Sequence, residues 1–467
     1  MKIFNASIRF FWLNCLFLLT FEAYAQPSPA EEGQIIAIRH VNVIPMDAEK
    51  ILKDQTVLIE KGLIKSVKPD KKIKIPEGAQ VIDGQGKYLT PGLAEMHAHI
   101  PTPKDGNDEY VRETLFLYLS NGVTTIRGML GDSYHLELKK KVAAGEVLSP
   151  RIYTSSPSVN GNSFPTIEVA KEKVPQYKKD GYDFLKLHPG IKLEVFEEII
   201  KQAKEVGITY SGHVSVYVGV RKALQAPYAS IDHIDGYLEG LVPASAGLDP
   251  EKNGFFGINF TDKADMSLLP ELVEMTKKNK VWVVPTQALL ERWLSPQSPA
   301  ELIQEEPMKY MPSATRYSWV NTKQQVLKNP DYNAETYTKF IDIRRKILKA
   351  LYDAQVGLLL GSDAPQVFNV PGFSIQGELK AMQAAGIPNY EILKMGTVNP
   401  AAFFGESGKY GMIKPGNSAD LILVDGNPLE DIGNMSQISG VMVRGQWLSR
   451  AMIDEELEKI AKRNEGN

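Results

Sequence analysis

Apolar and polar positions follow two different patterns along the chain. From about residue 33 to 90, short apolar runs are separated by turn residues, a pattern that predicts a small β unit. The same pattern returns near the other end, in Ser418 to Val424 and Val441 to Val443. From about 91 to 405, short apolar runs instead alternate with amphipathic stretches of helical period, such as Leu193 to Val206. The sequence therefore predicts a central region of alternating strands and helices, flanked by two β segments.

The alternation in the central region indicates a parallel sheet with helices packed against it. Eight candidate strands in roughly 315 residues favour a closed (β/α)8 barrel of the TIM type. A doubly wound sheet is the alternative, but no Gly-x-Gly-x-x-Gly turn follows the first strand. The candidate strands are 93–98, 122–127, 151–155, 182–187, 208–213, 230–234, 281–285 and 357–362.

The two flanking β segments are separated in sequence by the whole predicted barrel. Because short strands are rarely stable alone, we expect the segments to pair into one composite β-sandwich domain. The predicted organisation is a signal peptide at 1–25, a composite β-sandwich from 26–90 plus 406–467, and the barrel at 91–405.

The first 25 residues have the features of a secretory signal peptide. Lys2 and Arg9 precede the apolar run Phe10 to Phe21, and the small-x-small pattern Ala23 to Ala25 follows it. An uncleaved membrane anchor is the alternative, but this run is shorter than the roughly 20 residues that a spanning helix needs. We therefore predict cleavage after Ala25, an extracytoplasmic location (periplasmic or secreted) and no stable membrane anchor. Cys15, the one cysteine, would be removed with this segment, which excludes disulfides and cysteine nucleophiles from the mature chain.

The charges are nearly balanced, with 53 Lys and Arg against 56 Asp and Glu. No net field attracts nucleic acid or an anionic membrane, so neither is expected as a partner. The expected partner is a small molecule or a short peptide, and a homo-oligomer is left open.

Histidines are concentrated at the ends of the predicted strands. Strand alternation places His97 and His99 on one face of the first strand, while His213 and His233 end the fifth and sixth. The carboxyl ends of barrel strands meet at one face, so these four side chains are expected to converge there. Neutral imidazoles are common metal ligands, and the pattern predicts a metal site.

Two further strand-end residues point to the same chemistry. Lys186 is predicted to face inward on the fourth strand, where an unpaired charge is costly to bury. A lysine that has reacted with CO2 is an anionic carbamate that can bridge two cations, whereas pairing with an acidic neighbour is the structural alternative. Asp363 ends the eighth strand, where its carboxylate could bind metal and transfer a proton. The alternative for Asp363 is a helix cap.

These residues resemble the amidohydrolase superfamily, in the branch that contains imidazolonepropionase-like proteins and metal-dependent Xaa-Pro dipeptidases. The resemblance covers nearly the whole mature chain and depends on several motifs together. The motifs are Pro91 to His99, Gly122 to Arg127, the strands carrying Lys186, His213 and His233, Leu360 to Asp363, and Gly411 to Val424.

The resemblance implies two divalent metal ions, usually Zn2+, bridged by a carboxylated lysine. His97, His99 and Asp363 would hold one ion, His213 and His233 the other, and the carbamate on Lys186 both. Imidazolonepropionase itself resembles a single-metal enzyme without this lysine, so Lys186 favours the binuclear, dipeptidase-like members. Gly128 is a departure, because many relatives have an acidic residue there.

The implied activity is hydrolysis of a C–N bond, an amide or peptide bond, in a small substrate such as a dipeptide or N-acyl amino acid. A metal-activated hydroxide would attack the carbonyl, with Asp363 as the catalytic proton shuttle. Tyr217, His188 and Arg127 are the candidates for binding the substrate carboxylate. A cyclic amidase, a lactonase and a non-catalytic secreted metal-binding module remain as alternatives.

The segment 286–355 is too long for an ordinary connection within a barrel. We expect it to be mostly helical and to cover the barrel mouth, with a surface insertion remote from the site as the alternative. Its aromatic residues include Trp293, Tyr310, Tyr317 and Trp319.

Overall fold

A computed structural model of the protein describes residues 34–330 and 332–465. The predicted signal peptide, 1–25, lies outside the described residues. The strands are β1 (Ile35–Val43), β2 (Leu52–Glu60), β3 (Leu63–Pro69), β4 (Gln80–Asp83), β5 (Tyr88–Pro91), β6 (Leu93–Ala98), β7 (Val123–Gly128), β8 (Arg151–Thr154), β9 (Phe184–Leu187), β10 (Thr209–Gly212), β11 (Ser230–Asp232), β12 (Trp282–Val284), β13 (Leu421–Val424), β14 (Ile438–Val443) and β15 (Gln446–Ser449).

The α-helices lie mostly between and after the parallel strands. They are α1 (Glu109–Ser120), α2 (Ser133–Ala143), α3 (Ile167–Asp180), α4 (Leu193–Val206), α5 (Val220–Gln225), α6 (Tyr237–Gly240), α7 (Leu269–Lys278), α8 (Gln287–Trp293), α9 (Pro299–Leu302), α10 (Ser313–Lys328), α11 (Ala334–Asp353), α12 (Ser374–Ala384), α13 (Asn389–Gly396), α14 (Val398–Phe403) and α15 (Arg450–Glu465). None of these helices combines the length and the apolar character that a membrane crossing requires.

Strands from the two ends of the chain form one eight-stranded sheet. Its order is β15-β14-β13-β5-β1-β2-β3, and β4 pairs with β1. β13 runs antiparallel to β5, with Leu423 opposite Leu89. Ile38 and Val57, both fully buried, pack with these two leucines in one hydrophobic cluster. The two flanking segments thus share a sheet and a core, while the domain boundaries stay a prediction.

The central region contains two parallel sheets, as the alternation of strands and helices predicts. β6, β7 and β8 form one sheet, and β9, β10, β11 and β12 form the other, in parallel register throughout. An isolated parallel bridge from Ser155 to Phe184 joins the end of β8 to β9. Seven of the eight candidate strands are therefore found, each within two residues of its predicted bounds at either end.

The prediction of a regular eighth strand at 357–362 is wrong. The segment is joined to its neighbours by isolated parallel bridges, Leu358 with Val283 and Ala364 with Ala98. Its ladder is interrupted because the backbone N–H of Leu360 donates to the carbonyl of Met395, at 2.9 Å, instead of to a strand. The carbonyl of Leu360 nevertheless accepts from the backbone N–H of Met96 at 2.9 Å, so the segment lies beside β6.

The segment 286–355 is mostly helical, as expected, and contains α8 to α11. Its aromatic residues differ in how far they are buried. Tyr310 and Trp319 are buried in the main core, and Tyr317 is 70% exposed on α10. Trp293, at the end of α8, lies 4.6 Å from the ring of Phe255. Phe255 belongs to the segment between β11 and β12. This segment and the one that follows β12 therefore contact each other through Phe255 and Trp293.

Candidate metal centre

The carboxyl ends of β6 and of the 357–362 segment place three metal-binding side chains together. His97 lies within β6, and His99 and Asp363 follow directly after the two segments. His99 Nε2 lies 2.7 Å and His97 Nε2 3.7 Å from Asp363 Oδ1. One donor atom from each residue lies within 4.8 Å of the other two, so the three residues could hold one metal ion.

His233 and His213 extend this group along β11 and β10. The ring centroid of His233 lies 4.4 Å from that of His97 and 4.5 Å from that of His213. His213 Nδ1 donates to Asp235 Oδ2 at 3.0 Å, and His233 Nδ1 lies 2.7 Å from Thr286 Oγ1. In metal sites a ligating histidine commonly engages a protein oxygen with its second nitrogen, which fixes the ring. Both rings thus have the second contact that is common among metal-binding histidines.

Lys186 lies beneath these histidines and is fully buried. Its Nζ is 3.4 Å from His97 Nε2 and 3.6 Å from Asp232 Oδ2. Burial lowers the pKa of Lys186, which favours the neutral amine that reaction with CO2 requires. The structure brings together all six of the predicted metal ligands.

The donor set suits a divalent cation. Burial holds the pKa values of His97 and His233 well below the ordinary range, so both imidazoles are neutral, the form that binds metal. Among the described residues, His97 Nδ1 and Asp232 Oδ2 are buried without a hydrogen bond, although they face each other at 3.1 Å. Such a cluster of neutral donors and carboxylates fits a metal ion.

A family model for the amidohydrolase family matches residues 88–448. The chain belongs to the amidohydrolase family. The match includes the central region with its candidate ligands and the strands β13 and β14. The family expectation from the motifs around His97 and Asp363 is therefore confirmed.

Similar proteins of known structure include a putative prolidase and a Xaa-Pro dipeptidase. A putative prolidase from Bifidobacterium longum has 24% sequence identity and a TM-score of 0.67, covering 91% of this chain and 99% of its own. A Xaa-Pro dipeptidase with bound methionine has 18% identity and a TM-score of 0.62, covering 89% of this chain and 100% of its own. Among curated relatives, a dihydroorotase from Thermoanaerobacter sp. (strain X514) is 23% identical over 402 residues, 79% of this chain and 83% of the relative. These similarities establish the shared amidohydrolase fold.

Arg127 lies beneath the candidate metal ligands of this amidohydrolase and is fully buried. Its guanidinium donates to the carbonyl of Met96 at 2.7 Å, to Ser230 Oγ at 3.0 Å and to Asp232 Oδ1 at 3.0 Å. Asp232 was missed by the sequence reasoning, although it directly precedes His233 on β11. The contacts of Arg127 are thus structural ones that hold Asp232 against His97.

Glu95 is a second buried carboxylate that the sequence reasoning missed. Its Oε1 accepts from the backbone N–H groups of His97, at 3.1 Å, and Ser362, at 2.7 Å, and its Oε2 accepts from Ser362 Oγ at 2.5 Å. The carboxylate thereby fixes β6 against the segment that carries Asp363. The available signal was alternation, because Glu95 shares the strand face of His97 and His99.

The other two candidates for substrate binding lie nearer the surface. The ring of His188 stacks on that of His213 at 5.2 Å, and Ser158 Oγ lies 2.9 Å from its Nδ1. Burial lowers the pKa of His188 to about 2, so this imidazole is neutral. Tyr217 is 46% exposed, and a hydrogen bond with Glu251 raises the pKa of its phenol. His188 therefore lies beside the predicted ligands, whereas Tyr217 contacts Glu251, which belongs to the segment between β11 and β12.

Proposed function

We propose that this amidohydrolase is a binuclear metal-dependent enzyme that hydrolyses the C–N bond of a dipeptide or N-acyl amino acid. The convergence of His97, His99 and Asp363 at one point carries the proposal. The dipeptidases among the similar structures support the substrate class. We also propose that the two parallel sheets close into one barrel through the 357–364 segment, and that the protein acts outside the cytoplasm.

The proposed ligand set contains all six of the predicted metal ligands. His97, His99 and Asp363 would hold one Zn2+ ion, and His213 and His233 would hold the second. A carbamate on Lys186 would contact both ions. A divalent metal in such a site acidifies water and polarises a carbonyl oxygen. Neutral His97 and His233 suit this role, because a protonated imidazole has no free electron pair for a metal.

Asp363 is the proposed proton carrier. Asp363 is only 5% exposed, and its Oδ1 lies 2.7 Å from His99 Nε2. A carboxylate held in this position can accept a proton from water and then deliver it to the leaving nitrogen. The contacts of Glu95 with His97 and Ser362 would keep this carboxylate in register with the histidines.

The substrate carboxylate is proposed to interact with His188, which stacks on His213, or with Tyr217, which follows the end of β10 by five residues. Arg127 is assigned to holding Asp232, because its three donor contacts are all within the protein.

The decisive experiment is a substrate screen with the zinc-loaded protein that begins at Gln26. The library contains dipeptides, N-acyl amino acids, cyclic amides and lactones. Hydrolysis of linear amides that is lost in Asp363→Asn supports the proposal. The matched control is Asp353→Asn, because this aspartate forms an exposed ion pair with Lys349 on α11. Turnover of cyclic amides or lactones alone would contradict the substrate class, and metal binding without any turnover would favour a non-catalytic binding protein.

A further inference from the structure

The segment between β11 and β12 places an aromatic side chain directly on the predicted metal ligands. The ring centroid of Phe256 lies 5.1 Å from that of His233 and 5.8 Å from that of His213. The rings of Phe256 and His213 are nearly parallel, with an interplanar angle of 23°. A molecule bound beside these two histidines therefore meets Phe256.

The backbone at Phe256 adopts a conformation that is uncommon for a bulky residue. Its φ is 53° and its ψ is 35°, in the left-handed region. Gly254 and Gly257, on either side, also have positive φ, at 72° and 83°. Conformations of this kind persist where the surrounding structure imposes them, and they cluster at functional sites.

The turn that carries Phe256 is fixed to α6 by Glu239. Asn253 Nδ2 donates to Glu239 Oε1 at 2.7 Å. The backbone of Gly257 packs so closely on the same carboxyl group that a Cβ there would lie 2.9 Å from its carbon. The positive φ of Gly257 together with this close approach favours glycine at 257, and the turn next to Phe256 is held against α6.

Phe255 and Trp293 form a second aromatic layer beside Phe256, and Trp293 comes from the segment that follows β12. Phe255 lies edge-on to Phe256 at 4.5 Å and contacts Trp293 at 4.6 Å. Trp293 ends α8, where Lys323 Nζ donates to the carbonyls of Arg292, at 2.8 Å, and Trp293, at 2.9 Å. Phe255, Phe256 and Trp293 all retain exposed surface, so a ligand can contact this layer.

We propose that Phe256 is a specificity-determining residue, which forms an apolar wall of the substrate site together with Phe255 and Trp293. The preferred substrates then carry a branched aliphatic or aromatic group beside the scissile C–N bond. This inference rests on the proposed amide hydrolysis. An apolar group gains by leaving water for an aromatic surface, whereas a polar group of the same size loses its hydrogen bonds to water there.

The first test compares N-acetyl-L-leucine with N-acetyl-L-asparagine, whose side chains are similar in size. The zinc-loaded protein should show at least a tenfold higher kcat/KM for the leucine compound. Phe256→Ala should reduce this ratio below threefold, chiefly by raising KM for the leucine compound, while Phe256→Leu should keep most of it. Tyr317→Ala is the control, because this aromatic residue is 70% exposed on α10.

The second test measures binding without turnover. Calorimetry should show that L-leucine binds the zinc-loaded protein at least fivefold more tightly than L-asparagine, and that Phe256→Ala removes the difference. Amide hydrolysis with equal kcat/KM values and equal binding would overturn the apolar wall and leave the proposed function intact. Retention of the binding preference, with no amide hydrolysed, would support the wall and overturn the proposed function.

Discussion

Arg127 Nη2 donates to Asp232 Oδ1 at 3.0 Å, and neither side chain has any exposed surface. The other oxygen of Asp232 lies 3.1 Å from His97 Nδ1. The guanidinium therefore neutralises the carboxylate that faces one of the predicted metal ligands. A buried charge that loses its partner is strongly destabilising, more so than an exposed one.

Replacement of Arg127 by Met should lower the free energy of unfolding by about 3–5 kcal/mol, because Asp232 would remain charged and buried without its partner. Urea denaturation measures this change. Arg221→Met is the control, since Arg221 pairs with Glu271 near the surface and its loss should have little effect. Equal losses of stability in the two variants would contradict the proposed role of Arg127.

Lys186 is predicted to determine metal content. The purified protein should contain about two divalent ions per chain, because the donor set exceeds what one tetrahedral ion requires. Lys186→Ala should lower metal content and activity together, with partial rescue by short carboxylic acids, and elemental analysis measures the content. Lys323→Met is the control for metal content alone, because Lys323 is equally buried but lies on α10, away from the predicted ligands. Unchanged metal content in Lys186→Ala would mean that Lys186 is structural.

Glu378 should make stability depend on pH. Burial raises the pKa of Glu378 to about 8 from an ordinary 4.5, although Oε2 accepts from the backbone N–H of Ala288 at 2.7 Å. The folded state therefore binds this proton more tightly than the unfolded state. The resulting stabilisation is complete below about pH 4.5 and is lost as the pH rises through about 8.

The measurement is the free energy of unfolding at several pH values between about 5 and 8.5. Glu378→Gln should remove a part of the slope, at most about 1.4 kcal/mol per pH unit. Glu458→Gln, which changes an exposed partner of Lys462 on α15, should leave the slope as it is. An identical slope in wild type and Glu378→Gln would show that Glu378 is ionised in the folded state.

A free dipeptide and its C-terminal amide should differ at least tenfold in kcat/KM, since a site built for a carboxylate rejects analogues that leave its donors unpaired. Tyr217→Phe should close much of this gap if the phenol is the donor. The pair with Glu251 competes for the same phenol, so Glu251→Gln should widen the gap. Equal rates on both substrates would remove carboxylate recognition from the proposed function.

The predicted export signal can be tested by intact-mass analysis of protein from a native-type host. Cleavage after Ala25 would give a mature chain beginning at Gln26 in the extracytoplasmic fraction. An Ala25→Phe variant should be processed poorly, because the cleavage site requires small residues. Recovery of the full-length wild-type chain in the cytosol would contradict export.

The cluster of candidate metal ligands could be predicted from the sequence because its residues follow simple rules. Two-residue alternation identified His97 and His99, and the position at a strand end identified His213, His233 and Asp363. The supporting carboxylates could not be predicted with the same certainty. Glu95 obeys the same alternation, but its partner Ser362 is far away in sequence, and a single acidic residue has no characteristic spacing.

The remaining part of the site depends on irregular backbone. Phe256 lies in a segment without helical or strand periodicity, and contacts with residues distant in sequence fix its position. Asn253 and Gly257 contact Glu239, and Phe255 contacts Trp293. At the eighth candidate strand, by contrast, the sequence pattern is regular and the backbone is not. Its apolar pattern suits a strand, but the bond from Leu360 to Met395 is a tertiary contact that local sequence does not reveal.

The pairing of β5 with β13 also has a consequence for the order in which the protein is made. About 330 residues lie between these strands, and at roughly 5–20 residues per second their synthesis takes tens of seconds. During this time the edge of β5 that later pairs with β13 is an open template for other strands. A chain truncated before Leu421 would keep that edge permanently open, so incomplete products should aggregate or be degraded, whereas completion of the last strands closes the sheet.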